Sequence, residues 1–166
     1  MRIVKIILWI LLLLIVKTVF VKVIGIAGTM PELLMAFAVI FAFHELRLLT
    51  TSYIIIVCGI CIGSCMGEIF PAAVLVTGAA GLIARGASYY FRFIPKYIRC
   101  LFIIAMTSFV YGFIVYFAHS VIIKPTELIY YILPYVIYTT AAAAVMYPII
   151  IRTLFHEDKN KKLLMI

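Results

Sequence analysis

Six apolar stretches, Ile3–Val21, Pro31–Phe43, Leu48–Met66, Phe70–Ala84, Leu101–Ala118 and Leu128–Ile151, fill most of the chain, parted only by short polar or Gly/Pro-containing breaks. Few folds accommodate this pattern, because a helix that crosses a bilayer needs roughly 20 apolar residues and each run reads as one such helix. With 67% hydrophobic residues, 12% charged residues and a mean hydropathy of +1.28, the chain lies far from globular domains, where about 25% of residues are charged. The expected fold class is all-α. It is a polytopic membrane protein, a single bundle of about six transmembrane helices over residues 1–152, with a cytoplasmic basic tail over 153–166. A bundle of that size in 166 residues leaves no room for a soluble catalytic domain.

The second and fourth stretches are short. Pro31 to His44 is 14 residues, about 21 Å of helix against a hydrocarbon core of roughly 30 Å. These two helices are expected to extend past their charged ends or to pack inside the bundle. Charge then sets the orientation. With the N-terminus in the cytoplasm, Arg2, Lys5, Arg47, Arg85, Arg92, Lys96, Arg99, Arg152, Lys159, Lys161 and Lys162 lie inside, and only Lys17, Lys22 and Lys124 lie on or near the other side. That bias favours both termini in the cytoplasm; five helices would put the Arg85–Arg99 loop and the tail on opposite faces. It also accounts for the formal net charge of +8 without a nucleic-acid partner. Arg2, Lys5 and the run Ile6–Val16 imitate a secretory signal. No small-x-small cleavage site follows near Lys17–Lys22, so the segment is read as a membrane anchor.

Residues able to carry chemistry are few. Cys58-Gly-Ile-Cys61, with Cys65 four residues on, has the look of a metal or thiol-redox motif. On a helix Cys58, Cys61 and Cys65 share one face, and Gly59, Gly63 and Gly67 share a nearly opposite one. A structural zinc site needs four ligands, and the one other cysteine is the distant Cys100. A redox pair belongs at a soluble helix N-terminus near a βαβ unit. The cysteines are therefore expected to pack, and no metal or cofactor is expected. The glycines form two overlapping small-xxx-small motifs, suited to close packing against Gly78-Ala-Ala-Gly81 and Gly86 of the next helix, or against a partner protein.

Thr29-Met-Pro-Glu32 has capping-box spacing, in which the Glu32 carboxylate reaches back to a free amide. His44, Glu45 and Arg47 are expected to form a solvated cytoplasmic turn, Glu68 to sit in an outer turn, and Lys17 to snorkel outward. Pro134 is expected to kink the last helix. The histidines His44, His119 and His156 fall in separate breaks and the single aspartate, Asp158, is in the tail, so enzyme activity is not expected.

The order of three stretches resembles the rod shape-determining protein MreD family of bacterial inner-membrane proteins across nearly the full length. Pro31-Glu-Leu-Leu34 is similar to the family's Pro-Asp/Asn-x-Leu-Leu. Gly59-Ile-Cys-Ile-Gly63, then Gly67-Glu68, then Gly78-Ala-Ala-Gly-Leu82 through Arg85, is similar to its glycine-spaced helix, acidic turn and return helix. Leu133-Pro-Tyr-Val-Ile-Tyr138 with Tyr147-Pro-Ile-Ile-Ile-Arg152 looks like its terminal helix. The family often carries an aspartate just after the second or third glycine, where this chain has Gly67-Glu68.

The resemblance implies a non-enzymatic subunit of the bacterial cell-elongation machinery in the inner membrane. It implies binding to the membrane anchor of an MreC-like scaffold, and association with MreB, RodA and its penicillin-binding transpeptidase. The expected partner surface is the glycine stripe with Tyr89, Tyr90 and Phe91, beside a basic cytoplasmic face of Arg85, Arg92, Lys96 and Arg99. A different class with six helices remains open: the substrate-binding membrane subunit of an energy-coupling-factor vitamin transporter. Its outer-face pocket would draw on Glu68, His119, Glu127, Tyr130 and Tyr131, residues that otherwise fit an interfacial aromatic belt.

Overall fold

The computed structural model describes residues 2–24, 31–45, 47–66, 70–90, 93–119 and 125–155. Among them the chain is all-helical: α1 (Arg2–Ile24), α2 (Leu33–His44), α3 (Leu48–Met66), α4 (Phe70–Tyr90), α5 (Lys96–His119) and α6 (Pro125–Ile150), the last continued by a π-helical turn, Ile151–Phe155. Two of the described stretches, Lys96–Ile114 and Ile129–Phe155, are long and apolar enough to cross a membrane. Leu33–His44, Leu48–Ser64 and Ala73–Ala87 are apolar but shorter.

The architecture centres on α2. Its sequence, LLMAFAVIFAFH, offers no polar face before its last residue, and a helix that is apolar all round is stable only when enclosed. The other five helices all touch it, and from Leu34 to Phe43 no side chain is more than 6% exposed. Phe37 and Phe41 anchor it to the sheath, Phe37 against Trp9 of α1 and Phe41 against Phe155 of the π-helical turn. Of the two alternatives for the short helices, α2 takes packing inside the bundle. Helix α4 takes the other and runs past Arg85 to Tyr90.

Around α2 the helices show two kinds of apolar surface. In α1, Ile6, Ile10, Leu13 and Lys17 are buried at helical spacing, while Ile7, Leu8, Leu11, Leu12 and Ile15 on the other side are exposed. The same holds in α3 to α6, where Leu49, Leu75, Leu82, Phe102, Ile129 and Val145 all stand more than half exposed. Side-chain hydroxyls do not compensate. Thr18, Thr51, Ser52, Thr77, Thr107, Ser108, Thr140 and Thr153 each donate to a carbonyl three or four residues back in their own segment, and so offer no free donor outward.

Helices α3 and α4 form the most extensive pair, followed by α5 and α6. The glycines expected at the α3/α4 seam divide there. A methyl group on Gly59 would stand 2.9 Å from the Val74 Cα, and one on Gly81 would run into the Ile55 side chain, whereas at Gly78 and Gly86 it would meet nothing within 4 Å. The pairing is thus glycine against a β-branched neighbour, not glycine on glycine. Gly63 is buried, and Gly67 lies outside the described residues. Gly78→Ala and Gly86→Ala are therefore each expected to stabilise the purified protein by roughly 0.4–1 kcal/mol, because alanine restricts the unfolded chain more than glycine does. Thermal unfolding in detergent measures this, and a lowered midpoint would contradict open space at either position.

Packed structure also continues beyond the expected boundary at residue 152. Leu154 is buried, and Thr153 Oγ1 accepts from Trp9 Nε1 at 3.0 Å. The π-helical turn follows Pro148, which cannot donate to the helical ladder.

Candidate functional site

A fully apolar helix enclosed by neighbours concentrates its unmet polar groups at its two ends, and among the described residues the buried charged side chains, Lys17, Glu32, Glu45 and Arg99, lie there. At the N-terminal end the first turn of α2 carries free backbone amides. The Glu32 amide donates to Thr139 Oγ1 of α6 at 3.2 Å, and the Glu32 carbonyl accepts from Ala36 at 3.0 Å. Its carboxylate takes both oxygens to Lys17 Nζ of α1, at 3.0 and 2.9 Å, with the two side chains 3% and 0% exposed.

One sequence expectation is corrected here, and another, the capping box from Thr29, rests on a residue outside the described ones. Lys17 does not snorkel outward but turns into the bundle. A carboxylate and an ammonium that face each other away from water are far more stable paired than either is unpaired.

At the C-terminal end the expected solvated turn is also corrected. His44 Nε2 lies 2.8 Å from Tyr147 Oη of α6, and its ring packs on those of Phe43, Tyr147 and Phe155. Glu45 is 6% exposed and accepts from the Arg47 amide through Oε1 at 3.0 Å; of this group, only Arg47 is exposed. Tyr97 of α5 closes the cluster against Tyr147 with ring centroids 5.0 Å apart.

The expected basic face is likewise divided. Lys96 is exposed, but Arg99 is 6% exposed, donates from Nη1 to the Ala87 carbonyl at 3.1 Å and lies 5.4 Å over the Phe43 ring. Arg99 therefore locks α4, α5 and α2 together instead of facing outward. Arg85 is half-buried, and Arg92 lies outside the described residues.

Of the candidate outer-face residues, only the side chains of Tyr130 and Tyr131 are among those described. Tyr130 is 79% exposed, and Tyr131 is half-buried against Tyr116. Glu68 and the side chains of Glu127 and His119 lie outside the described residues, as do Phe91 and the side chain of Tyr89; Tyr90 is exposed. Cys58 and Cys100 are buried, and Cys61 is half-buried. Among the described residues no three of His, Cys, Asp and Glu gather in one place.

One groove in this region is purely apolar. It has a volume of about 580 Å³ and runs between α4 and α5, edged by Leu75, Ala79, Ile83, Phe102, Met106 and Val110. Thr107 also lines it, but its hydroxyl is already bonded to the Ile103 carbonyl. Gly78, Leu82 and Gly86 follow one another at four-residue spacing on the same helix, α4.

Neither a protein-family model, nor a curated protein, nor a solved structure matches this chain.

Proposed function

We propose that the chain is a non-enzymatic, multi-pass subunit of the bacterial cell-elongation machinery, similar to the MreD family, with both termini in the cytoplasm. It receives the single membrane anchor of an MreC-like scaffold. The observation that carries this reading is the division of the glycines. Gly59 and Gly81 are consumed within the chain, whereas Gly78 and Gly86 have open space and belong to α4, the helix that lines one wall of an apolar groove. In a bilayer, where apolar contact alone gains little, such a small-residue face is what a second helix packs on.

Two further features favour the same reading. Both ends of α2 are tied to the terminal helix, Glu32 to Thr139, just after Leu133–Tyr138, and His44 to Tyr147. Outward apolar side chains on α1 and on α3 to α6 form a surface that water does not favour and hydrocarbon does. MreB, RodA and the transpeptidase follow as more distant associates of the same assembly.

The test is co-purification from bacterial membranes with gentle detergent. Wild-type protein is expected to bring down a single-pass periplasmic scaffold together with glycan-polymerising components. Gly78→Leu and Gly86→Leu are expected to cut scaffold recovery at least about tenfold, the loss of about 1.4 kcal/mol, without lowering the thermal midpoint of the protein itself. Recovery of ATPase subunits with a bound vitamin would replace this reading by the transporter one.

A further inference from the structure

A second groove, of about 500 Å³, lies between α1 and the π-helical turn, lined by Lys5, Leu8, Trp9, Leu12, Arg152 and Thr153. Its composition is graded. Two cations, one from each element, flank a body made by Leu8, Leu12 and the Trp9 ring, and the Trp9–Thr153 hydrogen bond braces its wall. Leu8 and Leu12 are about half exposed, one turn apart on α1, so the apolar part continues along the helix away from Lys5. Arg152 is exposed.

We propose that this groove binds one anionic phospholipid, its phosphate between Lys5 and Arg152 and an acyl chain laid along Leu8 and Leu12. The assignment rests on charge complementarity. Basic pockets between membrane helices on the cytoplasmic side suit anionic headgroups, arginine grips a phosphate through two parallel N–H donors, and tryptophan favours the headgroup level. A soluble anion has no use for the leucines, and an all-apolar partner helix has none for the two basic side chains that line the groove. The inference rests on the membrane orientation proposed above, though not on any scaffold partner.

The site gives α1 a function beyond anchoring. Helix α1 touches the rest of the bundle less than the other helices do, and a lipid seated in this seam would bridge it to the end of α6.

The experiment uses the full chain. Carbonate-washed membranes first establish whether it remains embedded; release by the wash would overturn both the membrane reading and this one. Retained protein is purified and offered equal phosphatidylglycerol and phosphatidylethanolamine, and bound lipid is counted by native mass spectrometry. Phosphatidylglycerol is expected to be preferred, and Arg152→Gln to reduce that preference about fivefold, the contribution of one basic residue near a charged headgroup. Arg152→Lys should retain most of it. Arg47→Gln, which removes an exposed charge elsewhere, should leave it unchanged. An equal fall in Arg47→Gln and Arg152→Gln, no fall in either, or displacement of the lipid by inorganic phosphate would each overturn the site while leaving the membrane reading intact.

Discussion

Glu32→Ala is expected to cost about 3–5 kcal/mol of stability, the largest loss for any single polar residue in the bundle, because it strands the Lys17 ammonium in a site from which water is excluded. For a chain of this size that is a fall of roughly 10 °C in the thermal midpoint of the detergent-solubilised protein. Lys17→Ala should cost a similar amount for the mirror-image reason. The informative comparison is the double variant Lys17→Met/Glu32→Met. It removes both charges and keeps the volume, so it should lie within about 1 kcal/mol of wild type or exceed it, since apolar pairs commonly match or better buried ion pairs. If each single variant unfolds within about 0.5 kcal/mol of wild type, the pair is not dry and Lys17 reaches the interface after all.

Gly59→Leu is expected to prevent the bundle from forming. Even Gly59→Ala should cost about 1–3 kcal/mol, because the added carbon meets backbone, the Val74 Cα at 2.9 Å, and the whole of α4 must retreat. Val74→Ala should not rescue it, since the clash is not with the Val74 side chain. Gly81 supplies the control. There the added carbon meets the end of the Ile55 side chain, so Gly81→Ala is expected to be destabilising alone and substantially relieved by Ile55→Ala. Thermal or denaturant unfolding of the four variants tests the set, and a rescue at Gly59 by Val74→Ala would show that the α3/α4 seam is looser than the structure has it.

Much of this arrangement was legible in the chain. Apolar runs and their breaks locate all six helices, because a helix with apolar surroundings writes a continuous apolar stretch into local sequence. The lysine at position 17 was legible too, since it continues the inward series Ile6, Ile10, Leu13 at helical spacing. It was misjudged because flexible lysines near helix ends usually escape to the interface. For Glu32 the local spacing from Thr29 points to a cap and carries no sign of the Lys17 partner fifteen positions earlier. What no local pattern carries is pairing at a distance. His44 and Tyr147 are 103 positions apart, and Glu32 and Thr139 are 107 apart. Glycine spacing, similarly, announces that helices approach closely, but not which glycines face a neighbour within the chain and which face outward.

The tie between the start of α2 and Thr139 has a consequence for biogenesis. Synthesis delivers α1 and α2 long before α6, so Lys17 and Glu32 can neutralise each other early, yet the Glu32 amide finds its acceptor only when the final helix emerges. Trp9 waits longer still, for Thr153. The earliest helices are thus completed by the latest one, and the nascent chain stays an open cluster until α6 arrives. Closure of the fold then waits on α6 and the turn that follows it, which couples the finished outer surfaces to the arrival of those segments.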